Sequence, residues 1–256
     1  SPYIQYGLDL DTIVPNLSAH IFKEIRMTEK VETIGFRDLS VDSLDSNKVL
    51  RNTYWLLTLT LLPTVLGAWF GIASGVSQYL SGGLGLVFFL VGIFGFVYAI
   101  EKNKNSSLGI VFLLGFTFFM GLMLSRLIAM VLGFKNGTEL VMTAFGGTAG
   151  VFFVMASLAT VIKRDLSSMG KWLFVGVIVL MVASIINIFV GSSAAMLAIS
   201  VLSIGIFSAF MLYDIKRIID GGETNYISAT LALYMNAINI FQSLLVLLGV
   251  MGGDKE

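Results

Sequence analysis

The feature that most limits the folds open to this chain is a series of seven long apolar runs. A helix needs roughly 20 apolar residues to cross about 30 Å of hydrocarbon, and seven segments meet or approach that length. They are roughly Tyr54–Ser74, Leu84–Ile100, Leu108–Ile128, Leu140–Ile162, Trp172–Val190, Ala194–Tyr213 and Tyr226–Met251. The runs are continuously apolar rather than alternating, which is typical of spanning helices and not of barrel strands. The sequence therefore predicts an all-α, polytopic membrane protein with seven transmembrane helices.

Charge and residue usage exclude several classes of function. Charged residues make up 12% of the chain, whereas a soluble domain usually carries about 25%. The formal net charge of zero gives no field that would attract nucleic acid. The chain has no cysteine and one histidine, His20, so a thiol nucleophile and a Ser–His pair within the membrane are excluded. No HExxH, P-loop or GxGxxG motif is present, and we expect no enzyme, no cofactor and no certain metal site. The lipid bilayer is the expected partner.

The basic residues predict how the chain is oriented in the membrane. One side of the predicted spans is rich in lysine and arginine, and the other carries only Lys135 and, near a span end, Arg126. The rich side comprises Lys48, Arg51, Lys102, Lys104, Lys163, Arg164, Lys171, Lys216 and Arg217. Because cytoplasmic loops carry the excess of basic residues, the N-terminus is predicted to be cytoplasmic. If the last segment crosses the membrane fully, the C-terminus lies outside. If the segment is re-entrant, the C-terminus lies in the cytoplasm.

The first 47 residues differ in composition from the rest of the chain. They are polar, mixed in charge and punctuated by proline and glycine. We predict a partly flexible cytoplasmic tail at 1–47 and a seven-helix membrane domain at 48–256. Alternatively, Leu17, Ile21 and Ile25 would form the apolar stripe of a surface helix within the tail. The tail lacks a basic segment followed by an apolar run, so we expect the first span to act as an uncleaved anchor.

Glycines recur within the predicted spans. The pairs concerned are Gly92 and Gly95, Gly115 and Gly121, and Gly146 and Gly150. Small residues at such positions let the backbones of two helices approach closely. The alternative is that glycine is simply frequent in membrane helices.

Five polar side chains at membrane depth are the candidate functional residues, because burying such groups in lipid is costly. They are Arg126, Asn187, Asp214, Asn236 and Asn239. Asn236 and Asn239 are three residues apart and so share a face of the last span. A cluster of Asp214 with Asn236 would hold a proton, a cation or a structural hydrogen-bond network.

Simpler interpretations exist for the same charged groups. Asp214 would be an interfacial carboxylate paired with Lys216 or Arg217, which follow it closely. Arg126 would snorkel to the outer interface, or else pair with a carboxylate in a pore. The asparagines would form hydrogen bonds between helices, worth about 0.6 kcal/mol each.

Several separated motifs carry a resemblance to a known family. They are KVLRNTY at 48–54, KRDLS at 163–167, NIF at 187–189, LYD at 212–214, GGETNY at 221–226 and LYMNAINIF at 233–241. In this order they resemble the Bax inhibitor-1 family, and within it the bacterial YccA branch. The resemblance covers roughly residues 47–252 and leaves residues 1–46 without a counterpart.

The resemblance implies a fold in which the last of seven helices is central and the other six surround it. It also implies a pH-sensitive calcium leak, sensed by two aspartates on spans six and seven that share a proton. The first aspartate corresponds to Asp214 and the second to Asn236. Because an amide does not ionise, this chain departs from the pattern, although the amide can donate a hydrogen bond or offer its carbonyl to a cation. A leak for Ca²⁺ or H⁺ is therefore the alternative function.

The bacterial branch also resembles modulators and substrates of the membrane AAA protease FtsH. Such a protease needs a flexible cytoplasmic tail to grip, and residues 1–47 would supply one. The resemblance thus predicts a multi-pass protein of the bacterial inner membrane, with a role in stress tolerance and membrane homeostasis and with FtsH as a partner.

Overall fold

The computed structural model describes residues 24, 46–76 and 82–252. Across these ranges all regular structure is helical, and seven helices are long and apolar enough to cross a membrane. They are α1 Ser46–Ala73, α2 Gly82–Asn103, α3 Ser107–Leu132, α4 Gly137–Val161, α5 Met169–Val190, α6 Ser193–Ile219 and α7 Tyr226–Gly252. The predicted all-α architecture with seven spans is confirmed.

Two helices extend well beyond the apolar runs that predicted them. Helix α1 begins at Ser46 rather than near Tyr54, and α6 continues past Tyr213 to Ile219. In α6 the backbone stays helical through the polar stretch because no glycine or proline follows Tyr213 until Gly221, whose φ of 75° lies in the turn after the helix. Asp214 therefore lies inside α6 and not at its end.

Helix α7 is at the centre of the bundle. It packs against α6, α4 and α3, and its side chains take part in all three apolar clusters of the core. Tyr234 joins the cluster around Phe116, Leu233 joins the one around Met211, and Leu245 joins the third. The expectation of a central last helix is confirmed. The helix runs unbroken over 27 residues, about 40 Å at 1.5 Å per residue, which favours a full crossing over a re-entrant segment.

The backbones of α1 and α3 touch where they cross. A Cβ atom on Gly121 would lie 2.0 Å from the carbonyl oxygen of Thr64, and one on Gly67 would lie 2.1 Å from that of Phe118. Neither position has room for a side chain, so these two glycines make the close approach possible. At Gly146 and Gly150, by contrast, a Cβ would meet nothing within 4 Å.

Helix α5 lies at the edge of the bundle. It packs against α6, and only 6% of its most apolar stretch is buried. Phe189 is 86% exposed and Trp172 is 78% exposed. Outward-facing apolar side chains of this kind are suited to contact with lipid.

The chain divides between Asp45 and Ser46 into two units, and the seven helices belong to the second. Apart from Glu24, Ser46 and Asn47, the predicted tail at 1–47 lies outside the described residues. Its boundary with the membrane domain and the alternative surface helix remain predictions.

Candidate functional site

Asp214 on α6 and Asn236 on α7 meet inside the bundle. The Nδ2 atom of Asn236 donates a hydrogen bond to Oδ2 of Asp214 at 2.7 Å. Asn236 is 5% exposed and Asp214 is half-buried. A carboxylate at this depth needs a donor, and the amide provides one.

The turn between α6 and α7 sets the two helices side by side. Asn225 begins α7, because its Oδ1 accepts hydrogen bonds from the backbone N–H groups of Ile227 and Ser228 at 2.9 and 3.2 Å. Its Nδ2 also donates to the carbonyl oxygen of Lys104 at 3.0 Å. The hairpin is thereby fixed to the loop between α2 and α3.

The other two candidate asparagines do not reach Asp214. Asn239 turns back to its own helix, where Nδ2 donates to the carbonyl oxygen of Met235 at 2.7 Å. Asn187 lies at the turn between α5 and α6, where its Oδ1 accepts from the N–H of Ser192 at 3.2 Å. That turn is near the opposite end of α6 from Asp214, roughly 30 Å away along the helix axis.

The candidate charge partners have other contacts. Lys216 forms an ion pair with Asp220. Arg217 pairs with Glu223 at 3.5 Å and donates through Nε to the carbonyl oxygen of Gly222 at 3.1 Å. Within the described part of the chain, no ion pair joins Asp214 to a basic side chain. Its one hydrogen-bonded side-chain partner there is the neutral amide of Asn236.

Two further polar features were missed from the sequence. The hydroxyl of Ser228 is buried and has no hydrogen-bond partner among the residues the structure describes. Ser228 stands eight residues before Asn236, and this spacing places both residues on one face of α7. The spacing could therefore have identified Ser228 from the sequence. The hydroxyl of Tyr234 lies 2.9 Å from Oγ1 of Thr64 and 3.4 Å from the carbonyl oxygen of Thr117, so it links α7 to α1 and α3.

The site has few oxygen ligands for a metal ion. Over residues 46–76 and 82–252, no group of three or more His, Cys, Asp or Glu side chains is placed to hold a metal. Asp214 offers a carboxylate and Asn236 an amide carbonyl, while Ca²⁺ prefers about six to eight oxygen ligands. The pair therefore forms a hydrogen bond but by itself supplies too few oxygen ligands to retain Ca²⁺.

The fold and the carboxylate–amide pair inside the bundle define a seven-helix integral membrane protein arranged around its last helix. A family model described as "Inhibitor of apoptosis-promoting Bax1" matches residues 46–253. The chain belongs to this Bax inhibitor-1 family, and the resemblance inferred from the motifs is confirmed.

Several relatives of the chain are bacterial proteins. The chain is 41% identical over 212 residues to a membrane protein of Vibrio cholerae, with 83% of this chain and 93% of the relative covered. It is 40% identical over 211 residues to the "Modulator of FtsH protease YccA" of Escherichia coli strain K12, with 82% and 94% covered. A second Escherichia coli relative of the same identity is named "Inner membrane protein YccA".

Proposed function

We propose that this protein is a membrane-embedded modulator of an FtsH-type AAA protease, and that it is also a substrate of that protease. The observation that carries the proposal is its 40% identity, over 94% of the relative's length, to a protein named as a modulator of FtsH protease. The alignment covers 211 residues, or 82% of this chain, so the similarity extends beyond one motif.

The proposed mode of action is by contact rather than by catalysis. Seven spans would place the protein in the bacterial inner membrane, beside a protease anchored in the same bilayer. With the N-terminus in the cytoplasm, the polar segment before α1 would reach the protease from the membrane surface. Occupancy of the protease by this tail would slow the degradation of other membrane substrates, which is how a substrate also acts as a modulator.

A reconstituted degradation assay tests this proposal. The full chain and an FtsH-type protease are placed in the same proteoliposomes, and the breakdown of a third membrane protein is followed with time. We expect the full chain to slow that breakdown and to be degraded itself. Deleting residues 1–45 removes the tail but keeps Ser46, where α1 begins, and should abolish both effects.

A matched control comes from the other end of the chain. Deleting residues 253–256 leaves α7 complete at Gly252 and leaves the tail in place, so both effects should persist. Unchanged inhibition and unchanged degradation in the variant without residues 1–45 would contradict the proposal.

The alternative function is a pH-sensitive leak for Ca²⁺ or H⁺. It is favoured by the hydrogen bond between Asn236 and Asp214 inside the bundle, because ionisable groups within spans commonly mark ion pathways. Flux in proteoliposomes on either side of neutral pH tests it. A flux that is lost in Asp214→Asn would support a leak with a single carboxylate as its gate.

A second variant separates the two functions. Asn236→Asp would place two carboxylates at hydrogen-bonding distance, a pair that shares one proton and so responds to pH. Flux in this variant, with none in the native protein, would show that this chain keeps the scaffold without the gate. That result would exclude the leak and leave the protease role.

A further inference from the structure

Arg126 is a charged side chain within a membrane span, and no residue that the structure describes pairs with it. It lies on α3 six residues before the helix ends at Leu132, about 9 Å along the axis at 1.5 Å per residue. Its side chain is exposed, and within the described residues it forms neither an ion pair nor a hydrogen bond. A charge at such a depth is costly unless a group of opposite charge meets it.

A cavity of about 290 Å³ opens beside Arg126. It lies between α2, α3 and α7, where α2 and α7 both pack on α3 but make few contacts with each other. Its polar lining consists of Arg126 and Gln242, and no aspartate or glutamate is among the lining residues. Both polar side chains are exposed, so the cavity is open to what surrounds the bundle at this depth.

The remaining walls of the cavity are apolar. Leu86 and Phe89 of α2 face it together with Met123 and Leu127 of α3. Leu86 is 44% exposed, which leaves the α2 side of the cavity open. Methionine and leucine walls suit a flexible hydrocarbon chain, whereas a small water-soluble anion would gain nothing from them.

From this geometry we propose that the cavity binds an acidic phospholipid of the surrounding membrane. The guanidinium of Arg126 binds the phosphate through paired N–H groups, as arginine commonly does. The amide of Gln242 supplies a further donor. One acyl chain lies along Leu86, Phe89 and Met123. The lipid thereby supplies the negative charge that the described residues do not offer Arg126.

Native mass spectrometry of the full chain in detergent tests this proposal, which does not depend on the protease role. Phosphatidylglycerol is added in steps, with phosphatidylcholine and inorganic phosphate as separate probes. We expect one phosphatidylglycerol to be retained and phosphatidylcholine to bind more weakly. Inorganic phosphate should not compete.

Three variants locate the site. Arg126→Gln should weaken phosphatidylglycerol binding by about tenfold, as expected for loss of a charge-assisted contact. Arg126→Lys keeps the charge without the paired donors and should have an intermediate effect. Met123→Trp fills the cavity but leaves Arg126 in place, and should also weaken binding. The thermal midpoint of each variant shows whether it is folded.

The control is Lys135→Gln, which removes a basic charge just beyond the end of α3 and should leave lipid retention unchanged. Equal weakening by Lys135→Gln and Arg126→Gln would overturn the proposal, because it would indicate general attraction to the protein surface. Equal retention of phosphatidylglycerol and phosphatidylcholine, or displacement by inorganic phosphate, would overturn it as well. If Arg126→Gln does not fold, Arg126→Lys and Met123→Trp decide the question, and native-like binding by both would reject the site.

Discussion

Asn236 holds the carboxylate of Asp214 through a single hydrogen bond, with 2.7 Å between Nδ2 and Oδ2. The bond joins α6 to α7, which share the most extensive packing of any pair among helices α2 to α7. The family resemblance implies a second aspartate at this position. In this chain a neutral donor replaces it, so the two side chains attract each other without needing a shared proton.

Removing the amide should destabilise the bundle. In Asn236→Leu the half-buried Asp214 carboxylate loses its partner, and we expect a loss of about 1–3 kcal/mol in the free energy of unfolding. Asp214→Asn keeps a hydrogen-bonding pair and should cost less. Equilibrium unfolding in detergent gives the values, with Asn239→Leu as the matched control because the side chain of Asn239 donates to Met235 within its own helix. Equal losses in the two leucine variants would show that the bond between Asn236 and Asp214 stabilises the bundle no more than the bond of Asn239 within α7.

A methyl group at the crossing of α1 and α3 should force the two helices apart. Gly121→Ala would place its Cβ 2.0 Å from the carbonyl oxygen of Thr64, a backbone atom that cannot move aside alone. We expect a loss of about 1–3 kcal/mol, the usual scale for overpacking. Gly146→Ala is the control, since nothing lies within 4 Å of the added atom, and it should be neutral or slightly stabilising because alanine favours helix. The thermal midpoints of the two variants make the comparison, and similar values would refute the steric argument.

The hydroxyl of Tyr234 should contribute measurably to the contact between α7 and α1. Tyr234 is 2% exposed and its hydroxyl lies 2.9 Å from Oγ1 of Thr64. Tyr234→Phe removes that bond, at an expected cost of about 0.6–1.7 kcal/mol. A double-mutant cycle with Thr64→Val isolates the pair. The control, Tyr98→Phe, alters a side chain that is 67% exposed and should change little. A coupling energy near zero would mean that the two hydroxyls do not interact.

The loop between α4 and α5 contains a carboxylate with a shifted pKa. The backbone N–H and the hydroxyl of Ser167 donate to Asp165 at 2.8 and 2.9 Å, and these bonds hold the pKa of Asp165 below its ordinary value. Ser167→Ala removes only the hydroxyl, so the pKa should rise part of the way back. Carboxyl chemical shifts followed against pH by NMR measure it.

The lowered pKa of Asp165 also determines how this carboxylate changes the stability of the protein with pH. Because the pKa of Asp165 is lowered in the folded state, its carboxylate adds to the free energy of unfolding above the ordinary pKa. This contribution is lost as pH falls through the folded-state pKa. Ser167→Ala should make that contribution smaller. Ser168→Ala is the matched control, since the side chain of Ser168 forms no capping bond to α5. An unchanged pKa in Ser167→Ala would show that the hydroxyl bond is unimportant in solution.

The helices were predictable because lipid imposes length and apolarity on each one separately. Tyr226–Met251 was predicted as a span, and α7 covers Tyr226–Gly252. The ends of α1 and α6 were not predictable from hydropathy, since polar residues continue both helices beyond the apolar part. The central place of α7 came from the family resemblance, because nothing in the apolarity of a segment says which other segments it touches.

The candidate site was predicted only in part. The meeting of Asp214 with Asn236 follows from the order of the motifs and an antiparallel hairpin. The partners of Lys216 and Arg217 depend on the turn at Gly221, which brings Glu223 back toward Arg217, and sequence spacing did not show that. Asn239 lies three residues from Asn236, but its amide donates to the backbone carbonyl of Met235, one turn earlier in α7, instead of to a group on α6.

The position of α5 has a consequence for how the sequence can change over time. Helix α5 packs against α6 along one side. The lipid that surrounds its other sides accommodates any apolar side chain of roughly similar size. Exchanges among leucine, isoleucine, valine and phenylalanine on α5 are therefore nearly neutral, whereas the same exchanges on α3 or α7 disturb a packed neighbour. Between bacterial lineages, α5 should evolve fastest among the spans while its overall apolarity stays constant.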